Sequence, residues 1–170
     1  PWAIYANGSV EDGQLASGWF IENADKPANI AEADSETLWL TREAIDFLDR
    51  AKGSWCAHLS YIKPHWPYIV PAPYHDIYGP NSFLPVLRQD SEMADPNPVY
   101  AAFAGNIIGK AFHRDDVRQA TLGAYMGLIK QIDDQMGVLF DHLRNSGEIK
   151  NTIIVITSDH GDYLGDHWLG

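Results

Sequence analysis

The segment Thr152–Asp159, TIIVITSD, constrains the fold more than any other stretch of this chain. It is apolar on both faces of an extended backbone, so a strand made from it must be covered above and below. That is the demand of a central strand in a parallel sheet. A second run, Trp55–Ile62 (WCAHLSYI), also reads as a buried strand. It directly follows a helical pattern, and a helix feeding a buried strand implies a layered α/β fold.

The helices carry clear start and stop signals. Asp34 or Ser35 can cap SETLWLTREAIDFLDRAKG, with Glu36 in the first turn. Leu38, Ile45 and Leu48 form its apolar face, with Leu40 or Ala44 at the edge. Arg50 and Lys52 fall in the last turn, and Gly53 stops it. The longest element begins at Asp115 or Asp116 and ends before Gly147. Leu122, Tyr125, Met126, Ile129, Ile132, Met136, Leu139, Phe140 and Leu143 predict its buried stripe. Val99–Phe112 is a small-residue segment compatible with helix. Residues 1–33 read as an irregular N-terminal segment anchored by Trp2, Trp19 and Phe20, and residues 34–170 as the α/β part.

Lys63–Pro80 (KPHWPYIVPAPYHDIYGP) holds five prolines. They exclude both helix and central strand. The stretch is a rigid loop leaving the end of the Trp55 strand. In open α/β sheets, ligands bind beyond the carboxyl ends of strands. His65 lies just past one predicted strand, and Asp159 and His160 lie just past the other. Asp159 offers a hard oxygen donor, His160 an imidazole nitrogen, and Gly161 a permissive turn. By itself, Asp-His-Gly serves equally well as a helix cap. Lys63 and His65 can contact an anion, and His65 can act as a general acid; for the bare tripeptide, a structural histidine in a Pro-rich turn is the favoured reading. Asp133 and Asp134 read as solvated carboxylates, and His58 and Cys56 as core residues. His75, His113 and His142 have no partner visible in sequence.

The formal charge of −11 argues against a nucleic-acid partner, which needs a basic face. No apolar run is long enough to span a membrane as a helix. The single cysteine excludes an internal disulfide.

Three stretches, in this order, resemble the sulfatase branch of the alkaline phosphatase superfamily: HLSYIKPHWPYIVPAPYHDIY, IDDQMGVLFDHLRNSG and NTIIVITSDHGDYLGDHWLG. The flavour is that of its phosphonate monoester hydrolases and arylsulfatases, and the resemblance covers roughly Ser35 to Gly170. It implies an α/β, alkaline-phosphatase-like three-layer sandwich with a mostly parallel sheet, present here as a partial domain. It implies a metal-dependent hydrolase of small-molecule sulfate, phosphonate or phosphate esters. By position, Asp159 and His160 would bind a divalent metal ion (Ca, Mn, Mg or Zn), with the imidazole tilting the choice toward Mn or Zn. His65 would contact the substrate anion or leaving group, and Lys63 would line the same pocket. Asp166 and His167 match the family's GDH/GEH stretch and would shape the pocket wall.

The sequence also departs from that pattern. The family's formylglycine nucleophile arises from Cys or Ser in a C/S-x-P-x-R motif, and none occurs here. Cys56 is followed by Ala57, His58, Leu59 and Ser60. The family's N-terminal strand with paired Asp ligands and a further lysine beyond GDHWLG are also missing. The expectation is an interior slice of a longer enzyme, inactive alone and weak in metal binding. The alternatives are a non-catalytic α/β binding or oligomerisation domain, self-associating through an exposed sheet edge, and an unrelated metal-binding protein. No cellular location follows.

Overall fold

Ser35 starts the first helix, as its sequence predicts. A computed structural model describes residues 24–79 and 82–170. The anchors Trp2, Trp19 and Phe20 lie outside the described residues. Helix α1 spans Glu36–Arg50. Ser35 Oγ accepts the Leu38 N–H at 3.4 Å, satisfying one of the donors that a helix start leaves open. The Ala51 N–H closes the other end on the Phe47 carbonyl at 2.9 Å. Gly53 then turns the chain at φ +79°, a conformation that favours glycine.

The Ser35 hydroxyl has a second task. It also accepts from Gln131 Nε2 at 3.1 Å, and Gln131 is only 1% exposed. Ser35→Ala is therefore expected to cost about 2 kcal/mol: about 1 for the cap, the rest for a buried amide left without a partner. Urea unfolding measures this, and a midpoint equal to that of the unmodified chain would contradict it.

The Val99–Phe112 segment is helical but broken. Helix α2 covers Pro98–Gly105 and α3 covers Ile107–Ala111. Asn97 and Asn106 cap them, accepting from the N–H groups of Val99 (2.9 Å) and Gly109 (2.8 Å). Helix α4 runs from Asp115 to Asn145, and Gly147 follows it at φ +80°. Both ends agree with the sequence reading.

The face that α4 buries does not. Its buried positions include Val117, Thr121, Ala124, Leu128 and Gln131, a helical repeat set beside the large apolar stripe predicted from the sequence. Leu122 and Tyr125 do pack against the core, and Leu143 is buried. Ile129, by contrast, is 37% exposed. One residue turns a helix by about 100°, so a one-position offset changes which neighbours it meets. Small residues decide the outcome here. Gly123 and Gly127 let the Tyr74–Tyr78 backbone approach α4 more closely than a larger residue would allow. Val70, Tyr74 and Leu128 form one core cluster. Tyr68, Phe112, Val117, Ala124 and Leu164 form another, next to Ala24. Helix α1 packs on α4 as well, with His142 Nε2 reaching Asp49 Oδ1 at 3.2 Å.

Neither predicted strand is paired among the described residues. Among the described residues there is no strand, and no backbone hydrogen bond joins residues 55–61 or 152–159 to another segment. A strand exists only through partners that take its N–H and C=O groups, and these two segments have none among the described residues. The apolar residues expected to be covered on both faces are open: Ile153 is 92% exposed and Val155 80%. Cys56 and His58, read as core residues, are exposed for the same reason. The expected parallel sheet is thus not formed by these residues, although the loops beyond both segments still meet.

Candidate functional site

The five-proline loop folds back on itself through its side chains. Prolines donate no N–H, so the carbonyls of this turn need other donors. Lys63 Nζ donates to the carbonyls of Pro67 (2.8 Å) and His65 (3.3 Å). His65 Nδ1 lies 2.8 Å from the Trp66 carbonyl. A carbonyl only accepts, so Nδ1 carries the hydrogen and Nε2 faces away from this bond. The His65 N–H closes the turn on the Ile62 carbonyl at 3.1 Å.

The Asp-His-Gly loop repeats this arrangement. His160 Nδ1 lies 2.8 Å from the Gly161 carbonyl, which again assigns its hydrogen and leaves Nε2 with a lone pair in the neutral ring. Asp159 Oδ1 accepts the His160 N–H at 3.0 Å. Asp159 Oδ2 and His160 Nε2 stand 3.9 Å apart. Two donors at that spacing can share one ion at about 2.0–2.2 Å from each. The donor set thus fits a divalent cation, as two ligands of a larger set. Among the described residues, no group of three or more His, Cys, Asp or Glu side chains is placed to hold a metal. The Gly161 carbonyl, followed by the Asp159 carboxylate, raises the His160 pKa. A proton and a cation compete for Nε2, so binding there weakens as pH falls.

The two loops come together. The rings of His65 and His160 meet edge to face with centroids 5.9 Å apart. Beneath them lies a link with no signal in the sequence spacing. Tyr68, 2% exposed, hydrogen-bonds the Asp162 carboxylate. Burial first, then Asp162, pushes the Tyr68 phenol well above its usual range. Edge-to-face contacts with Phe112 (6.4 Å) and Tyr125 (5.8 Å) hold the Tyr68 ring. Asp162, read as a turn residue, thus joins its loop to the proline loop.

Asp166 and His167 sit on a differently built part of the chain. Asp166 Oδ1 accepts the Leu87 N–H at 3.0 Å and pairs with Arg118 at 3.3 Å. His167 Nδ1 lies 2.8 Å from Glu92 Oε1, a hydrogen bond that holds the Glu92 carboxyl below its usual range. The His167 N–H donates to the Leu87 carbonyl at 2.7 Å. Leu164, His167 and Trp168 all have positive φ, between 50° and 60°. Such backbone costs roughly 1–3 kcal/mol per residue and persists only where its surroundings fix it. Here Arg118, Glu92, Gln89 (bonded by Trp168 Nε1 at 2.9 Å) and Arg88 (4.6 Å above the Trp168 ring) do so. Asp166 and His167 thus bond to Leu87, Glu92 and Arg118, and Tyr100 Oη donates to the His167 carbonyl.

Asp134, read as a solvated or capping carboxylate, is partly exposed and bonded as well. It accepts from Tyr74 Oη at 3.0 Å and from Lys130, and both bonds hold its carboxyl below the usual range. Burial lowers the Lys63 pKa to about 8, opposed by the nearby Glu36 carboxylate.

Comparison with known proteins identifies the family of the chain. A family model described as Sulfatase matches residues 7–170, more than the Ser35–Gly170 span of the sequence resemblance. A multifunctional alkaline phosphatase superfamily protein, PehA, of Trinickia caryophylli is 34% identical over 85% of this chain and 31% of its own length. An arylsulfatase of Clostridium perfringens is 30% identical over 84% of this chain and 30% of its own length. A phosphonate monoester hydrolase structure from Silicibacter pomeroyi superposes with a TM-score of 0.79 at 30% identity, covering 99% of this chain and 34% of that one. The chain therefore spans about a third of the length of these relatives. The likeness extends to the fold, even though no sheet is formed by the described residues.

Proposed function

Because this chain belongs to the sulfatase family, we propose that it forms part of a divalent-metal-dependent hydrolase of sulfate or phosphonate/phosphate esters. The observation that carries the reading is the meeting of His65 with His160, each with Nδ1 engaged on a carbonyl.

In this reading Asp159 Oδ2 and His160 Nε2 hold the cation. Bound there, the cation neutralises charge on the tetrahedral group being transferred. Asp159 Oδ1 keeps the His160 backbone in register, and the Gly161 carbonyl keeps Nε2 as the donor nitrogen. His65 lies on the other side of the pair. To act as the acid it must carry a second proton on Nε2, which it gives to the departing alkoxide as the ester bond breaks. Asp166 and His167 support the site indirectly, by fixing the strained Leu164–Trp168 turn that follows the Asp-His-Gly loop. The nucleophile of the reading is a formylglycine supplied by residues outside these 170, since no C-x-P-x-R or S-x-P-x-R occurs among them.

The test uses the protein that carries this chain, assayed with a panel of aryl sulfates and phosphonate monoesters. Chelation should abolish hydrolysis and one of Mn, Zn, Ca or Mg should restore it. Hydrolysis that persists fully through exhaustive chelation, with metal content confirmed as removed, would contradict the reading.

A further inference from the structure

We propose that Lys63 is a positioning residue: its ammonium clasps the Lys63–Pro67 turn through two backbone carbonyls and thereby aims the His65 imidazole, rather than meeting the substrate anion itself. The inference rests on the preceding reading only in taking His65 as the imidazole of the site.

The argument is an account of carbonyls. His65, Trp66 and Pro67 present three consecutive C=O groups in a turn flanked by prolines. Each accepts from a side chain of the same turn: His65 and Pro67 from Lys63 Nζ, Trp66 from His65 Nδ1. The Pro67 carbonyl also takes the Ile69 N–H at 3.0 Å, which carries the turn into the buried Tyr68–Val70 stretch. Lys63 therefore fixes the carbonyls on either side of the one that orients His65.

The surroundings of Lys63 agree. It lines a small cavity whose wall mixes apolar Ile30, Ile69, Pro71 and Leu128 with polar Ser35, Thr37 and Gln131, and Glu36 supplies a carboxylate as counter-charge. Burial of the ammonium there lowers its pKa to about 8. His65, in contrast, is exposed and faces His160. One residue of the turn points into the protein and the other points out of it. Arginine presents a rigid planar fork in place of a compact ammonium, so it would meet these two carbonyls with a different geometry. For holding a sulfate or phosphonate, arginine would serve at least as well as lysine.

The test is made by NMR on the chain itself. In both Lys63→Met and Lys63→Arg, the His65 Nδ1 resonance is expected to move. The His65 amide should exchange with solvent about tenfold faster or more, while α4 amides stay unchanged. A His65 signal and amide unchanged in Lys63→Met would overturn the proposal. So would Lys63→Arg behaving as the unmodified chain. Should the variants not fold, the unmodified chain decides. Nuclear Overhauser contacts between the Lys63 Cε protons and the His65–Pro67 turn must then be present. Their absence would overturn it. Inorganic sulfate separates this inference from the reading of function. Sulfate binding that shifts the Lys63 Cε signal directly, with His65 unmoved, counts against the clasp. Sulfate that moves neither His65 nor His160 counts against the hydrolase reading, while the variants still decide the clasp.

Discussion

Replacing His65 by alanine is expected to slow hydrolysis of alkyl esters, by the protein that carries this chain, by about 10²–10⁴-fold. The expectation follows from the position of the ring. Nδ1 is held by the Trp66 carbonyl at 2.8 Å, so the nitrogen left for chemistry is Nε2. An acid at that nitrogen matters most when the departing oxygen is strongly basic, because such an oxygen cannot leave as a free anion. An aryl oxide that is a weak base leaves unaided. The loss in His65→Ala should therefore shrink steadily from alkyl to nitrophenyl esters. A series of esters of graded leaving-group basicity measures this through kcat. Equal losses across the series would assign His65 to holding the anion instead. Lys63→Met is expected to follow the same trend with a smaller loss, since it acts through His65.

Gly127→Val should destabilise the chain by about 3 kcal/mol or more, a drop in Tm of roughly 6–12 °C. A Cβ at Gly127 would sit 2.4 Å from the Tyr74 carbonyl oxygen and 3.2 Å from Val70 Cγ1. The first contact is with backbone, which cannot swing aside as a long side chain can. Either α4 or the Val70–Asp76 segment must shift, and the bonds of Tyr74 to Glu32 (3.1 Å) and Asp134 (3.0 Å) shift with it. Gly137, on the same helix, has no atom within 4 Å of such a Cβ. Gly137→Ala should therefore stabilise by about 0.4–1 kcal/mol, through helix propensity and a less free unfolded chain. Calorimetry of the two variants tests the assignment of the α4 face. If Gly127→Val and Gly137→Ala changed Tm alike, the close approach of Tyr74 would be wrong.

These two glycines also show where sequence reading stops. The boundaries of α1 and α4 were legible because capping is local: Ser35, Gly53 and Gly147 act within a few residues of themselves. The buried face of α4 was not, because it depends on what lies across from it. Met126 and Ile129 belonged to the more hydrophobic stripe, yet the fully buried positions include Thr121, Ala124, Gly127, Leu128 and Gln131. A backbone segment docks there, and backbone seeks small neighbours rather than large ones. The strands were legible as apolar runs, but a run does not say where its hydrogen-bonding partners are, and none lies among the described residues.

The site divides in the same way. Its location past two extended segments followed from general strand-end logic, and the structure brings His65 and His160 together there. The supports beneath it, Tyr68 with Asp162 and Arg118 with Asp166, join residues far apart in sequence, and no local pattern marks them. Asp166 and His167 carried a motif but not its geometry. The left-handed backbone at Leu164 and Trp168 belongs to residues with no intrinsic preference for it, while histidine, as at His167, tolerates it better.

The central claim is that Asp159 and His160 bind one divalent cation beside His65. The direct measurement is anomalous diffraction from crystals of the protein that carries this chain, loaded with Mn²⁺. The account predicts one peak within about 2.0–2.6 Å of both an Asp159 carboxylate oxygen and His160 Nε2. A fully occupied peak that leaves both side chains uncoordinated would contradict it.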